Sequence, residues 1–205
     1  MPRLITPLET GERYHIFNRG VDKRTIFETK NDYLRFYQSL YLFNSIEPII
    51  TFKHSQSKFT KRTPLVEIEA YSLLPNHFHL LLIQRAENGI SEFMKRIAGG
   101  YTSYFNERNK RSGVLFQGRF KRVLIDNDAQ YRYVFAYVNE NHSVHNIKRP
   151  DEIIYSSSLH YQKKIQSKVI NIPDSSFNKY NFKEHVAVAK ETYARRTGST
   201  QLLLE

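Results

Sequence analysis

The run Leu73-Leu74-Pro75-Asn76-His77-Phe78-His79-Leu80-Leu81-Leu82 constrains this chain more than any other segment. Side chains alternate faces along a strand, so His77 and His79 project together while Phe78, Leu80 and Leu82 project the other way. The apolar set can anchor a strand in a core. The two imidazoles can then share a divalent cation on the opposite face. A His-x-His pair alone is equally compatible with two ordinary strand residues, so its neighbours decide its meaning.

Composition narrows the chemistry. The chain has no cysteine, which excludes disulfides, thiolate metal sites and a cysteine nucleophile. Any metal is left to imidazole, carboxylate, amide or water, a donor set that suits Mg, Mn or Zn. A formal net charge of +11 at pH 7 favours an anionic partner, of which nucleic acid is the commonest. The Lys and Arg residues are interleaved with 14 Tyr and 14 Phe, so cations for phosphates and ring faces for unpaired bases occur together. The opening residues, Met1 to Thr6, lack the apolar core of a signal peptide, and no stretch approaches the length of a membrane span. The expected setting is the cytoplasm.

Hydrophobic and turn patterns give the order of elements. Arg13 to Gly20 reads as a first strand ending at a glycine turn. Asn31 or Asp32 is expected to cap a helix carrying Tyr33, Phe36, Tyr37, Leu40, Tyr41 and Phe43 at helical spacing. Residues 47–53 read as a strand and Ser55 to Thr63 as a basic loop. Leu65 to Leu74 is a strong strand, interrupted by Pro75-Asn76 and followed by His77 to Gln84. Ser91 caps a helix through Phe93, Met94, Ile97, Tyr101, Tyr104 and Phe105, with Gly99-Gly100 in its middle marking close packing or a kink. Asn109 to Arg122 is a basic segment, Arg119 to Ile125 a strand, and Asp128 to Asn141 a helix capped by Asp126 or Asn127. Beyond Pro150 the patterning is mixed. Residues 167–178 look irregular, and a basic helix is expected from Lys183 to Arg196. This order predicts an α+β fold, a ferredoxin-like antiparallel sheet with helices packed on one face, plus a C-terminal extension. The expected division is a catalytic domain over 1–150 and a partly helical extension over 151–205.

Tyr133, Tyr137 and Asn141 are four residues apart and form one stripe of the helix that ends at Asn141. Beside a His pair, an amide oxygen can complete a metal site and a phenol can serve as a nucleophile. An aromatic stripe used only for packing is the plainer alternative.

Taken together, these segments resemble the HUH single-strand DNA transposases with one catalytic tyrosine, and most closely the REP-associated tyrosine transposase branch. Tyr14-His15-Ile16-Phe17-Asn18-Arg19-Gly20 resembles the family's opening strand, continued by Ile26-Phe27 and Asp32-Tyr33. Ala70 to Leu81 resembles its His-hydrophobic-His strand, Gly113 to Lys121 its basic segment, and Tyr137-Val138-Asn139-Glu140-Asn141 its catalytic helix. The resemblance spans about residues 13–160. It implies that His77, His79 and Asn141 bind Mg or Mn, and that Tyr137 attacks a phosphodiester of hairpin-forming single-stranded DNA. A 5′-phosphotyrosine link and a free 3′-OH would result, and attack by another 3′-OH would rejoin strands. Such an endonuclease and strand-transfer activity needs no nucleotide cofactor. Where the family continues with Pro-Val after this Asn, the chain reads His142-Ser143, which leaves His142 and Glu140 as rival third ligands. Tyr133 is the rival nucleophile.

Arg19, Lys23 and Arg24 after the first strand, and Arg111, Arg119, Lys121 and Arg122 in the basic segment, are the candidate phosphate contacts. The compact members of the family act as dimers with shared sites. The longer C-terminal region here favours a monomer over a homodimer. Two other functions fit the residues less well. One is a non-catalytic binder of structured single-stranded nucleic acid. The other is a hydrolase that activates water at His77 and His79 without a covalent intermediate.

Overall fold

The computed structural model describes residues 7–48, 62–147, 152–163, 165–170 and 181–198. Four strands make one antiparallel sheet: β1 (Arg13–Arg19), β2 (Val66–Leu74), β3 (His77–Gln84) and β4 (Lys121–Leu124). Their spatial order is β2-β3-β1-β4. β2 and β3 form a hairpin across Pro75-Asn76, and β1 lies between β3 and β4. Helix α1 (Lys30–Leu42) joins β1 to β2, and α2 (Gly89–Arg108) joins β3 to β4. This is the split β-α-β arrangement of a ferredoxin-like fold. The strand expected over 47–53 and the loop over 55–63 lie almost wholly outside the described residues, as does most of the stretch 167–178.

The alternation along β3 separates two cores. Phe78, Leu80 and Leu82 join Ile16 of β1, Tyr71 of β2, Phe36 and Leu40 of α1 and Phe93, Ile97 and Tyr101 of α2 in the main core. Helices α1 and α2 therefore cover one face, as the binary pattern requires. The opposite face is covered too. There Ala70 and Leu81 pack against α3 (Asp128–Asn139), with Ala189 of the C-terminal helix α6 (Phe182–Gly198) completing a second cluster. A register shift between Ile68 and Ala70 keeps Ile68, Tyr71 and Leu73 in the main core. It also turns the small residues Ala70 and Ser72 toward the second face, where α3 can approach.

The element boundaries show where local chemistry outweighs periodicity. Helix α1 begins two or three residues earlier than Asn31 or Asp32 would start it. Thr29 is its N-cap, and Asp32 occupies the third helical position of a capping box, accepting from Thr29 N at 2.8 Å and Glu28 N at 2.9 Å. Asp32 is fully buried. Its other oxygen accepts from Tyr104 Oη at 3.0 Å and pairs with Arg108, the last residue of α2. One carboxylate thus ties the start of α1 to the end of α2. Helix α2 starts at Gly89 behind Asn88 rather than at Ser91. Gly100 faces α1 at a point where a Cβ would sit 2.8 Å from the Phe43 ring, whereas a Cβ on Gly99 would meet nothing within 4 Å. The glycine pair therefore serves close packing through one member only.

Beyond α3 the chain forms a short helix α4 (Asn141–Val144) and another, α5 (Ser158–Lys163). Between them Tyr155 to Ser157 runs along the free edge of β2. Leu73 N donates to Tyr155 O at 2.8 Å, and Ser157 N donates to Tyr71 O at 2.9 Å.

Two outcomes are expected. Gly99→Ala stabilises the protein by about 0.5–1 kcal/mol through helix propensity, while Gly100→Ala falls below it by about 1 kcal/mol or more because Phe43 must move; urea unfolding of both variants checks this. Burial alone would raise the Asp32 carboxyl, but Arg108, the Thr29 N–H and Tyr104 outweigh it and hold the pKa below its ordinary value. A depressed folded-state pKa gives stability that is present above the unfolded value and lost as pH falls through the folded one. Asp32→Asn should therefore lose on the order of 3 kcal/mol at neutral pH and show a flatter loss of stability below about pH 4, read from unfolding curves between acid and neutral pH.

Candidate active site

The β1–β3 register sets the second face residue by residue. Phe17 lies opposite His79, Arg19 opposite His77, and His15 opposite Leu81. Neighbouring strands extend the row, with Ser72 of β2 beside His79 and Lys121 of β4 beside Phe17. His77 and His79 share this face with ring centroids 5.1 Å apart. Tyr137 of α3 stands over them, its ring 5.4 Å from that of His79 and 6.2 Å from that of His15.

The histidines are held neutral rather than as cations. His79 and His15 are buried. Burial pushes His15 down to about 3 and, with His145, His142 and Arg19 adding repulsion, His77 down to about 4. Burial first, and then His77 and His15, hold His79 well below its ordinary range. All three are neutral near pH 7, so each keeps a lone pair for a metal or a hydrogen bond. His77 Nδ1 lies 2.6 Å from Asn76 Oδ1, and Asn76 Nδ2 donates to Lys23 O at 3.3 Å. That orients the amide with its oxygen toward His77. Nδ1 then carries the proton and Nε2 the lone pair. The Nε2 atoms of His77 and His79 and both amide atoms of Asn141 are buried with no hydrogen-bond partner among the described residues. Buried polar atoms are seldom left so, and two imidazole nitrogens with an amide oxygen are the donors a hard divalent cation accepts. The residues fit such an ion. Among the described residues no group of three or more His, Cys, Asp or Glu is gathered for a metal, so the amide is what a three-residue site would add.

The helix expected to run unbroken to Asn141 does not. It ends at Asn139, and Glu140, with φ −108° and ψ 17°, joins it to α4. The break is held by the Ser156-Ser157-Ser158 turn. Ser156 Oγ donates to Asn139 O at 2.8 Å and Ser157 Oγ to Asn139 Oδ1 at 2.6 Å, while Asn139 Nδ2 donates to Phe135 O at 2.9 Å. Asn141 thus opens a new helix instead of extending the tyrosine stripe. His142 is buried and lies 3.3 Å from Ser72 Oγ. Tyr133 packs on Tyr137 at 5.9 Å. Tyr131 lies elsewhere, under the Arg13 guanidinium at 4.3 Å.

A cavity of about 400 Å³ opens beside the His pair. Arg19, Lys23 and Lys121 line it with His77 and His79, and among the described residues no carboxylate does. The structure therefore gathers three of the seven basic candidates at the site. Arg24 and Arg119 are exposed away from the lining. Arg111 is bound to Asn106 Oδ1 at 2.5 Å and Val114 O at 2.9 Å, holding the basic loop. Arg122 lies opposite Ile16, on the face of β4 turned from the histidines. Sequence reasoning missed His145, which also lines the cavity with its ring 5.8 Å from His77. It missed Tyr193 of α6 as well, which stacks on Tyr137 at 6.2 Å and lies 5.3 Å from His145. No motif announces either, because both reach the site through helices that only packing brings there.

A ferredoxin-like sheet with a His-hydrophobic-His strand beneath a tyrosine helix defines a tyrosine-nuclease class of transposase. Residues 13–141 match the family described as transposase IS200 like, and the chain belongs to that family. Among solved structures it is similar to a REP-associated tyrosine transposase bound to a REP hairpin, with a TM-score of 0.54 and 16% identity over 84% of this chain and 95% of that one. No curated protein matches the sequence. The family implies metal-assisted catalysis. No helix among the described residues is long and apolar enough to cross a membrane.

Proposed function

We propose that this chain cleaves and rejoins hairpin-associated single-stranded DNA with Tyr137 as nucleophile. The observation that carries the reading is the placement of Tyr137 against His79, 5.4 Å between rings, where His79 itself lines a cation-lined cavity. In the forward step the Tyr137 phenolic oxygen bonds to phosphorus and loses its proton. The bond from phosphorus to the 3′ oxygen breaks, and that oxygen leaves as a 3′-OH. Reversal by a second 3′-OH restores the phenol and joins strands, so the bond energy is kept in the ester.

His77, His79 and Asn141 would hold Mg or Mn, supported by their partnerless buried atoms. Such an ion supplies Lewis-acid polarisation of the scissile phosphate. Arg19, Lys23 and Lys121 hold the adjoining phosphates. Arg24, Arg111, Arg119 and Arg122 belong to a wider basic surface for the hairpin stem. The histidines and the tyrosine come from one chain, which supports action as a monomer. The basic charge and the DNA substrate support a cytoplasmic setting. Residues 1–150 carry the chemistry, α6 covers it, and the extension over 151–205 assists DNA binding.

Tyr137 is 0% exposed, so a DNA phosphate reaches it only when the α6 cover moves. Two outcomes follow in one assay, with wild-type protein, labelled hairpin oligonucleotides and Mn or Mg, read on denaturing gels. Wild type and Tyr133→Phe form a covalent adduct, whereas Tyr137→Phe forms none. Cleavage without an adduct would move the assignment to a hydrolase, and binding without either product to a non-catalytic binder. Tyr193→Ala, which uncovers the phenol, raises the initial rate of adduct formation several-fold; an unchanged or lower rate would show that α6 does not limit access.

A further inference from the structure

We propose that His15 is a positioning residue for the metal site, holding His79 in the tautomer that leaves its Nε2 free for the cation. The inference rests on the reading of His79 as a metal ligand. His15 Nε2 lies 2.9 Å from His79 Nδ1, with the two rings stacked at 5.1 Å and 16°. Both side chains are buried, and the contact spans the two central strands of the sheet, diagonal to the paired residues Phe17 and Leu81. Long side chains on one face of antiparallel strands meet along such diagonals.

Between two neutral imidazoles only one nitrogen donates. If His15 Nε2 carries the proton, His79 Nδ1 accepts, and the one N–H proton of the His79 ring sits on Nε2, where it blocks a cation. If His79 Nδ1 carries the proton, His15 accepts, and His79 Nε2 keeps a lone pair. The first arrangement buries an N–H at His79 Nε2 without a partner. The second buries one at His15 Nδ1, which likewise has none. A cation at His79 Nε2 selects the second. His77 has the same construction by other means, since its Nδ1 faces the Asn76 oxygen. Each histidine of the pair therefore has an acceptor behind Nδ1, Asn76 for one and His15 for the other. Metal-bound histidines are commonly oriented in this way, and loss of the outer partner weakens the metal about 10- to 100-fold. A phenylalanine would fill the His15 site without a stranded nitrogen, so packing alone gives no reason for an imidazole there.

The test uses the full chain in two measurements. Mn affinity is read by electron paramagnetic resonance for wild type, His15→Phe, His15→Gln and His79→Ala. His15→Phe should bind about 10- to 100-fold more weakly. His15→Gln, whose amide oxygen reaches the Nε2 position, should return to within a few-fold of wild type. Equal affinity in His15→Phe, or no recovery in His15→Gln, would overturn the proposal. If His79→Ala binds Mn as wild type does, the metal reading itself falls rather than the role of His15 within it. The second measurement needs no variant and so does not depend on one folding. Long-range proton–nitrogen correlation spectra of Mg-loaded wild type should show the proton on His79 Nδ1 and none on His15 Nε2. The opposite pattern would overturn the proposal.

Discussion

The pairing of β1 with β3 is the constraint on which everything else depends. These are the two inner strands, and their register puts His15, Phe17 and Arg19 on the face that also carries His77 and His79. The same pairing sends Ile16, Phe78, Leu80 and Leu82 into the main core. A slip of one residue would exchange the two faces, burying imidazoles among α1 and α2 and exposing leucines beneath α3. The hydrophobic core is thus what fixes the chemistry. No separate device is needed to put the two histidines on one face, because the residue between them is held by burial.

The remaining parts of the site are placed from outside that sheet pair. Asn141 depends on the break after Asn139, and the break depends on serines from the segment that runs beside β2. These hydroxyls are fully buried, where a lost partner costs about 1–3 kcal/mol. The serine run is therefore part of the scaffold of the tyrosine-bearing helix α3, although it lies beyond residue 150. The cover formed by α6 has the same character. Its Ala189 belongs to the cluster around Tyr137, and its Tyr193 stacks on the phenol.

Electrostatics divide the basic residues by place rather than by number. Arg19, Lys23 and Lys121 converge on the cavity, while Arg111 is spent on shaping its own loop. Lys121 and Arg122 are adjacent in the chain and lie on opposite faces of β4. A cavity with three cations and, among the described residues, no lining carboxylate attracts phosphate over a range set by ionic strength. The neutral histidines add no further positive charge to that field.

What the sequence by itself determined is the part governed by period and local chemistry. The alternation around Phe78 put His77 and His79 on one face, helical spacing marked α1, α2 and α3, and the order of motifs identified the family and singled out Tyr137 as the candidate nucleophile. Capping chemistry shifted the start of α1 to Thr29, within a turn of where the pattern put it. Only the tertiary structure decided that helices cover both faces, that the helix breaks before Asn141, and that His15, His145 and Tyr193 stand at the site. Each of those depends on contacts between residues far apart in the chain: His15 with His79, Ser157 with Asn139, Tyr193 with Tyr137. A period reports which face of an element is apolar, but not which distant element will cover it. The partners that orient and bury this site are therefore fixed by packing, after the strands and helices are in place.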